Sequence, residues 1–256
     1  MLAASPMTNS ATLTPLTATG RRRLVGAWLR DRGQFARKIV PRTCPVCGHH
    51  GMFISVGKPA RWDARCLNCG CRERHRLTWL WIHEGGQDKF AGKRILHFAP
   101  EKVWMKKMQN NPLYETADLL QPGVTHKVDI TQVQLPDASY DVVMAHHVLE
   151  HIDEDRRAMS ELFRLLKPGG IGVFTVPVNI SRADTYENPA IKSPELRVAH
   201  FSAPDHKRYY GLDFADRLVD AGFEVATWRM KPEQEPEFGL LRDEWIYIAS
   251  KPAASG

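Results

Sequence analysis

No stretch of the 256-residue sequence approaches the roughly 20 consecutive apolar residues needed to span a bilayer, which excludes a helical membrane protein. Acidic residues are scarce at the front of the chain. None precedes Asp31, and residues 1–94 hold 5 Asp/Glu against 17 Lys/Arg. Residues 95–256 hold 24 against 18, so the formal net charge of +6 divides into a front third at +12 and a remainder at −6. Cysteine is missing from the 185 residues after Cys71, and all five cysteines lie between Cys44 and Cys71. A secreted disulfide scaffold spreads its cysteines, and the start of the chain lacks the apolar core of a secretory signal. A cytoplasmic location is expected on these grounds. The first residues are rich in Ser, Thr and Ala and read as a disordered tail, with a transit peptide as the alternative. There is no internal repeat. The hydrophobic fraction of 43% and charged fraction of 25% are those of an ordinary globular protein long enough to bury a core.

Apolar patterning divides the chain. Residues 1–40 read as a flexible tail followed by a basic segment with apolar residues at helical spacing. Residues 41–76 form a cysteine-rich segment, and 77–256 a larger domain. In the latter, short apolar runs alternate with amphipathic stretches: strands at 94–98, 114–117, 126–130, 140–145 and 171–176, and helices at 103–108, 153–166 and 212–221. The runs 223–228 and 245–249 read as a closing pair at a sheet edge. Strand–helix alternation predicts an α/β fold, a Rossmann-like mostly parallel sheet with flanking helices. Ligands of such sheets bind beyond the carboxyl ends of the strands, so residues that follow strands are the candidates for a site.

Cys44, Cys47, Cys66 and Cys69 form a C-x2-C-x18-C-x2-C array. Two residues between cysteines let one tight turn aim both thiolates at a single ion, and four thiolates in tetrahedral array suit Zn²⁺. The expectation is a small zinc ribbon whose closed four-thiolate site is structural; iron is the metal alternative, and unliganded thiols the bland one. Cys71 has no assigned role. The basic residues after the second pair, Arg72, Arg74 and Arg76, are read either as phosphate contacts or as an ordinary polar face.

Residues 94–250 resemble class I S-adenosylmethionine-dependent methyltransferases of the methyltransferase-11-like kind. The resemblance rests on ILHFAPE (95–101), DLLQPG (118–123), VDITQVQLPDASYDVVMAHHVLEHI (128–152), ELFRLLKPGG (161–170) and DHKRYYG (205–211). With its cysteine pairs, the whole chain is similar to a bacterial subgroup of zinc-ribbon methyltransferases. The resemblance implies S-adenosyl-L-methionine as cofactor. The first strand end in the family carries an acid and a glycine-rich loop. Here that loop is His97-Phe98-Ala99-Pro100-Glu101, with His97 where the acid is usual and Ala99 and Glu101 where glycines are usual. The expectation is that Glu101 supplies the acidic group toward the cofactor's amino group, or else sits in the first turn of the next helix. Asp118 is implied at the ribose hydroxyls or as a turn residue, Asp129 and Ile130 at the adenine, and His146 as a lining residue of the cofactor pocket.

His147 and His206 are the candidates for a general base, and Arg208 and Tyr209 for contacts to the acceptor. The alternative for the 205–210 stretch is a salt-bridged helix entry. Residues 177–210 form a long insertion expected to cover the substrate. Glu150 and His151 read as packing residues. An Asn-Pro-Pro-Tyr motif for base amines is missing after the fourth strand, and no thiol lies in the larger domain for a covalent base-C5 mechanism. The function expected is therefore methyl transfer to an O or N nucleophile of a small molecule. An RNA methyltransferase that grips phosphates with the ribbon, and a noncatalytic adaptor of the same fold, are the alternatives.

Overall fold

The computed structural model describes residues 12–36, 38–57, 60–86 and 89–253. The chain separates into two compact units, Met1–Gln87 with Arg229–Glu244, and Asp88–Trp228 with Trp245–Gly256. This division differs from the sequence reading in two ways: the first unit runs past residue 76, and it takes back a segment from near the chain's end.

In the first unit, α1 (Ala18–Arg30) is followed by a hairpin of β1 (Arg42–Thr43) and β2 (His50–Gly51), a second hairpin of β3 (Phe53–Val56) and β4 (Arg61–Cys66), and α2 (Glu73–Trp81). The flexible-tail reading fails for residues 12–20, while residues 1–11 lie outside the described residues. Thr14 N donates to His50 O at 2.9 Å, Thr17 N donates to Asn68 Oδ1 at 3.0 Å, and the Thr17 hydroxyl caps α1 by accepting from Gly20 N at 3.0 Å. The carbonyls of the cysteine turns supply the physical reason: Arg23 of α1 donates to Leu67 O at 2.7 Å and also to Asn68 O. Ala27, Ile54 and Leu67 make the small apolar core beneath.

Arg76 on α2 is fully buried. Its guanidinium donates to Phe238 O at 2.6 Å, Ala64 O at 3.0 Å and Cys71 O at 3.2 Å, and to Gly239 O. Phe238 ends the short α7 (Glu235–Phe238), so one side chain ties the returning segment to the cysteine-rich fold. A buried cation with its donors aimed at carbonyls is a planar fork in use, which Lys cannot reproduce.

The second unit holds β5 (Ile95–Phe98), α3 (Lys102–Met108), β6 (Tyr114–Asp118), β7 (His126–Lys127), β8 (Tyr140–His146), α4 (Asp155–Leu165) and β9 (Leu166–Thr175). It continues through β10 (Tyr186–Glu187), α5 (Pro194–Phe201), β11 (Arg208–Tyr209), α6 (Phe214–Asp220), β12 (Glu224–Trp228) and β13 (Ile246–Ser250). Seven strands form one sheet in the order β12-β13-β9-β8-β5-β6-β7. The β7-β6-β5-β8-β9 run is parallel, and β13 is antiparallel to both its neighbours. The Rossmann-like, mostly parallel expectation therefore holds. The closing pair is antiparallel and stands at the sheet edge as expected, with β12 outermost and β13 joining it to β9.

The core forms where the strands' apolar faces meet the helices. Leu96, Phe98, Val143, Ala145 and Phe174 from the strands pack with Met159, Leu162 and Leu165 of α4 and Leu218 of α6. The residues of α4 buried at 155, 158, 159, 162 and 165 follow the helical period. Asp141 opens β8 in a structural role, accepting from Arg94 N and from Lys167 Nζ, both at 2.9 Å.

Glu115 of β6 gathers Arg94 Nε at 2.7 Å, His126 Nε2 at 2.6 Å and the Tyr140 hydroxyl at 2.9 Å. Burial pushes its carboxyl up, but the Arg94, His126 and Tyr140 contacts outweigh this and bring it down to about 2. A carboxyl lowered by folding stabilises the native state above its unfolded value near 4.5 and loses that contribution as pH falls toward 2. Glu115→Gln is therefore expected to flatten the dependence of melting temperature on pH between 5 and 2; an unchanged slope contradicts this assignment. In the first unit, Arg76→Met leaves several buried carbonyls without donors, at about 1–3 kcal/mol each where water does not replace it. It is expected to lower the first unit's melting temperature by ten degrees or more in a scanning calorimeter while the second unit's transition stays in place.

Candidate functional site

Chain topology places the cavity. From β5 the chain steps to β6 and β7 on one side, then crosses to β8 on the other, so a crevice opens beyond the strand ends around β5. A cavity of about 840 Å³ lies there. Phe98 and Ala99 line it from the end of β5, Asp118 from β6, Asp129 and Ile130 from the turn after β7, and His147 from the turn after β8.

The backbone at two of these positions is unusual. Ala99 has φ of 48° and His147 has φ of 53°, a left-handed conformation that side chains other than Gly, Asn and Asp seldom adopt. Ala99 thus takes the conformation a glycine ordinarily supplies, and its N–H donates to Ala117 O at 2.9 Å. At His147 the turn reverses the strand alternation: His146 stays buried in the sheet, while His147 lines the cavity.

Both aspartates are pre-oriented by local hydrogen bonds. Asp118 Oδ1 accepts from Leu120 N and Gln121 N, each at 2.7 Å. Asp129 Oδ1 accepts from the Thr131 N–H and hydroxyl, each at 2.8 Å, and the N–H and hydroxyl bonds hold its carboxyl below the usual carboxylate range. In each case one oxygen is used to fix the turn. This leaves each Oδ2 at a cavity wall as an acceptor that suits hydroxyls or an exocyclic amine.

Other expected site residues stand elsewhere. His97 is fully buried, its Nδ1 2.8 Å from the Tyr114 hydroxyl, and its ring is edge-on to His146 at 5.7 Å. His146 in turn pairs through Nδ1 with the Thr175 hydroxyl at 3.2 Å and stacks near Trp104. Neither is among the residues lining the cavity. Glu101 is the N-cap residue of α3, without a side-chain capping bond, and is likewise outside the lining. Arg208, expected at the acceptor, points into protein. It donates to Glu187 Oε2 at 2.8 Å, Asp153 O at 2.9 Å, Leu149 O at 3.3 Å and Ile152 O, with Asp155 Oδ1 at 3.5 Å. Its charge and donors are spent inside the fold, as the salt-bridged alternative expects. Tyr209 pairs with Tyr186 between β11 and β10 and does not line the cavity.

The insertion 177–210 folds as β10, α5 and β11 and sends Arg197, Asp205 and Lys207 to the cavity. His206 lies between the last two, partly buried, with Nδ1 2.9 Å from Phe201 O; burial lowers its basicity. Its ring meets His151 edge-on at 4.8 Å. His151, read from the sequence as a packing residue, lines the cavity, as do Lys207 and Arg197.

In the first unit, the thiols of Cys44, Cys47, Cys66 and Cys69 lie within 4.8 Å of one another. The Cys44–Cys69 and Cys47–Cys66 sulfur separations are 3.6 and 3.8 Å. Tetrahedral sulfurs about 2.3 Å from one ion stand roughly 3.8 Å apart, so the array already has the required size. Gly48 and Gly70 follow the second cysteine of each pair at φ of 72° and 78°, which lets Gly48 N and Gly70 N close each turn on Cys44 O and Cys66 O at 2.8 and 3.0 Å. Cys71 Sγ is fully buried 3.3 Å from Cys44 Sγ.

Residues 101–174 match the family model described as a methyltransferase domain. A Mycolicibacterium smegmatis protein described as a "Probable S-adenosylmethionine-dependent methyltransferase" is 34% identical over 100 residues, 38% of this chain and 34% of that protein. The dimethylglycine N-methyltransferase of Parasynechococcus marenigrum is 39% identical over 62 residues, 24% of this chain and 22% of the relative. The chain thus matches about a third or less of the length of these curated relatives. The crystal structure of the cyclase SpnF superposes with a TM-score of 0.50 at 17% identity, covering 95% of this chain and all of that one, a likeness of fold alone. The matched block, residues 101–174, lies within the seven-stranded sheet of the second unit and is similar there to S-adenosylmethionine-dependent methyltransferases.

Proposed function

We propose that the chain transfers the methyl group of S-adenosyl-L-methionine to an oxygen or nitrogen nucleophile of a small molecule. The observation that carries this reading is the pair of pre-oriented carboxylates, Asp118 and Asp129, on the wall of one cavity at the switch point of the sheet. The residues present fit the cofactor. Asp118 is the candidate for the ribose hydroxyls, Asp129 for the adenine amine, and Ile130 and Phe98 for the apolar faces. The left-handed turn at Ala99 keeps the loop backbone close to the cavity without a glycine. When bound, the cofactor supplies an electrophilic methyl on a sulfonium centre.

The chain's own work is then positioning and exclusion of water. His147 faces the cavity and is the candidate for contact with the acceptor; His151, Lys207 and Arg197 line the same cavity. Lys207 is held by Asp153 Oδ2 at 2.8 Å, and its N–H donates to Glu150 O at 2.8 Å, which fastens the insertion to the turn after β8. A small-molecule acceptor is supported by the enclosing insertion and by the relative described as acting on dimethylglycine. The cysteine array of the first unit is proposed to hold one structural Zn²⁺, on the strength of its sulfur spacing. Among the described residues no helix is long and apolar enough to cross a membrane.

Titration calorimetry of the full chain with S-adenosylmethionine tests the reading. Saturable binding is expected, weakened about tenfold or more by Asp118→Ala and by Asp129→Ala, the loss of a charge-assisted contact of about 1.5–3 kcal/mol. No heat of binding at millimolar cofactor, with the variants indistinguishable from the parent, contradicts it and favours the noncatalytic adaptor.

A further inference from the structure

Glu150 is a buried carboxylate of this region that the cofactor reading leaves without a task. Its side chain is 1% exposed. Neither carboxylate oxygen accepts a hydrogen bond of good geometry. Imidazole nitrogens stand close to it, His147 Nδ1 at 3.4 Å and His151 Nε2 at 4.0 Å. Burying a carboxylate away from donors costs several kcal/mol unless a positive charge stands nearby.

Two histidines, His151 and His206, stand beside Glu150. His206 Nδ1 is engaged by Phe201 O at 2.9 Å, and His151 Nδ1 by Asp205 Oδ2 at 3.3 Å. A ring whose Nδ1 carries its proton toward a carbonyl or carboxylate has Nε2 as a lone-pair donor, the orientation in which histidines bind metals. The two rings meet edge to face at 84°. One ligand atom each from Glu150, His151 and His206 lies within 4.8 Å of the other two. Ligands 2.0–2.2 Å from one ion stand about 3–4.3 Å apart, a difference that small side-chain rotations close.

We propose that Glu150, His151 and His206 bind a divalent first-row metal ion at the wall of the methyltransferase cavity. Two imidazoles and one carboxylate occupy half of an octahedron and leave open positions, unlike the closed four-thiolate array of the first unit. His151 and Asp205 line the cavity, so the cluster borders it. The class of ligand they take is an oxygen donor, a hydroxyl or carboxylate of the acceptor, or water. The binding of the ion stands on the three side chains alone; its use toward an acceptor oxygen rests on the methyl-transfer reading. The insertion would then serve a second purpose, since it carries His206 to the turn after β8.

Mn²⁺ is the probe, because it prefers oxygen and nitrogen donors and competes poorly for thiolates. The full chain, its cysteine array loaded with zinc, is titrated with Mn²⁺ while the free ion is followed by electron paramagnetic resonance. One saturable site per chain is expected. Glu150→Gln and His206→Ala are each expected to weaken it by a factor of ten or more, and Asp205→Asn by less. Thermal melts of the same samples report folding, and His206 sits on a connecting segment whose replacement spares the core. Absence of a saturable site in the parent overturns the proposal, as do well-folded Glu150→Gln and His206→Ala variants that bind Mn²⁺ like the parent. Calorimetry with S-adenosylmethionine on the same samples separates the two readings: cofactor binding without metal binding sinks the ion alone, and metal binding without cofactor binding sinks methyl transfer alone.

Discussion

The reversal of strand order at β5 is the constraint from which the site follows. A parallel sheet must return each strand through a crossover, and the crossover from β7 to β8 passes over β5 and β6. Three turns that are distant in sequence therefore end on one crevice: those after Phe98, after Asp118 and after His146. The fourth contribution, Asp129 and Ile130, comes from the short β7 at the edge, whose two residues suffice because the following Asp129–Gln132 bridge closes the turn. Parallel strands buried on both faces leave their carboxyl ends as the place where polar side chains meet a cavity.

How the polar residues are used differs sharply between that crevice and its surroundings. Around it they are spent internally. Arg208 and Arg217 converge on Glu187 and Asp155, with the Tyr210 hydroxyl donating to Asp155 at 2.7 Å. Buried ions in such a network are stabilised by one another, and removal of one partner strands the rest. Inside the crevice, Asp118 and Asp129 each use a single oxygen for local structure. The same contrast applies in the first unit, where Arg76 is consumed by carbonyls of the returning segment and the cysteines converge on one point. The excess of positive charge at the front of the sequence is thus partly structural. Arg23 and Arg76 satisfy carbonyls, and Arg42 pairs with Asp63 at 2.9 Å.

Much of this was legible in the sequence because it is local. Apolar runs marked the sheet strands, the helical period marked α4, and paired cysteines followed by glycine marked the turns of the array. Asp118 and Asp129 were recognisable as strand-end carboxylates. What the sequence did not disclose depends on partners far along the chain. β13 lies inside the sheet because of its pairing with β9, which no local pattern reveals. The segment 229–244 joins the first unit through an arginine 162 residues before the carbonyl it serves. Arg208 looks like a ligand-binding cation until its buried acceptors are seen. Alternation along β8 gives no warning that one left-handed residue separates the buried His146 from the cavity-lining His147. Glu150 and His151 read as packing residues because His206, which completes their cluster, arrives only through the folded insertion.

The central claim is that the crevice around β5 is the cofactor site, and a structure of the full chain with S-adenosylhomocysteine tests it most directly. The account predicts the ribose against Asp118 and the adenine against Asp129 and Ile130, with the sulfur directed toward the His147 side of the cavity. A ligand bound elsewhere, or in the crevice without contact to either aspartate, contradicts it.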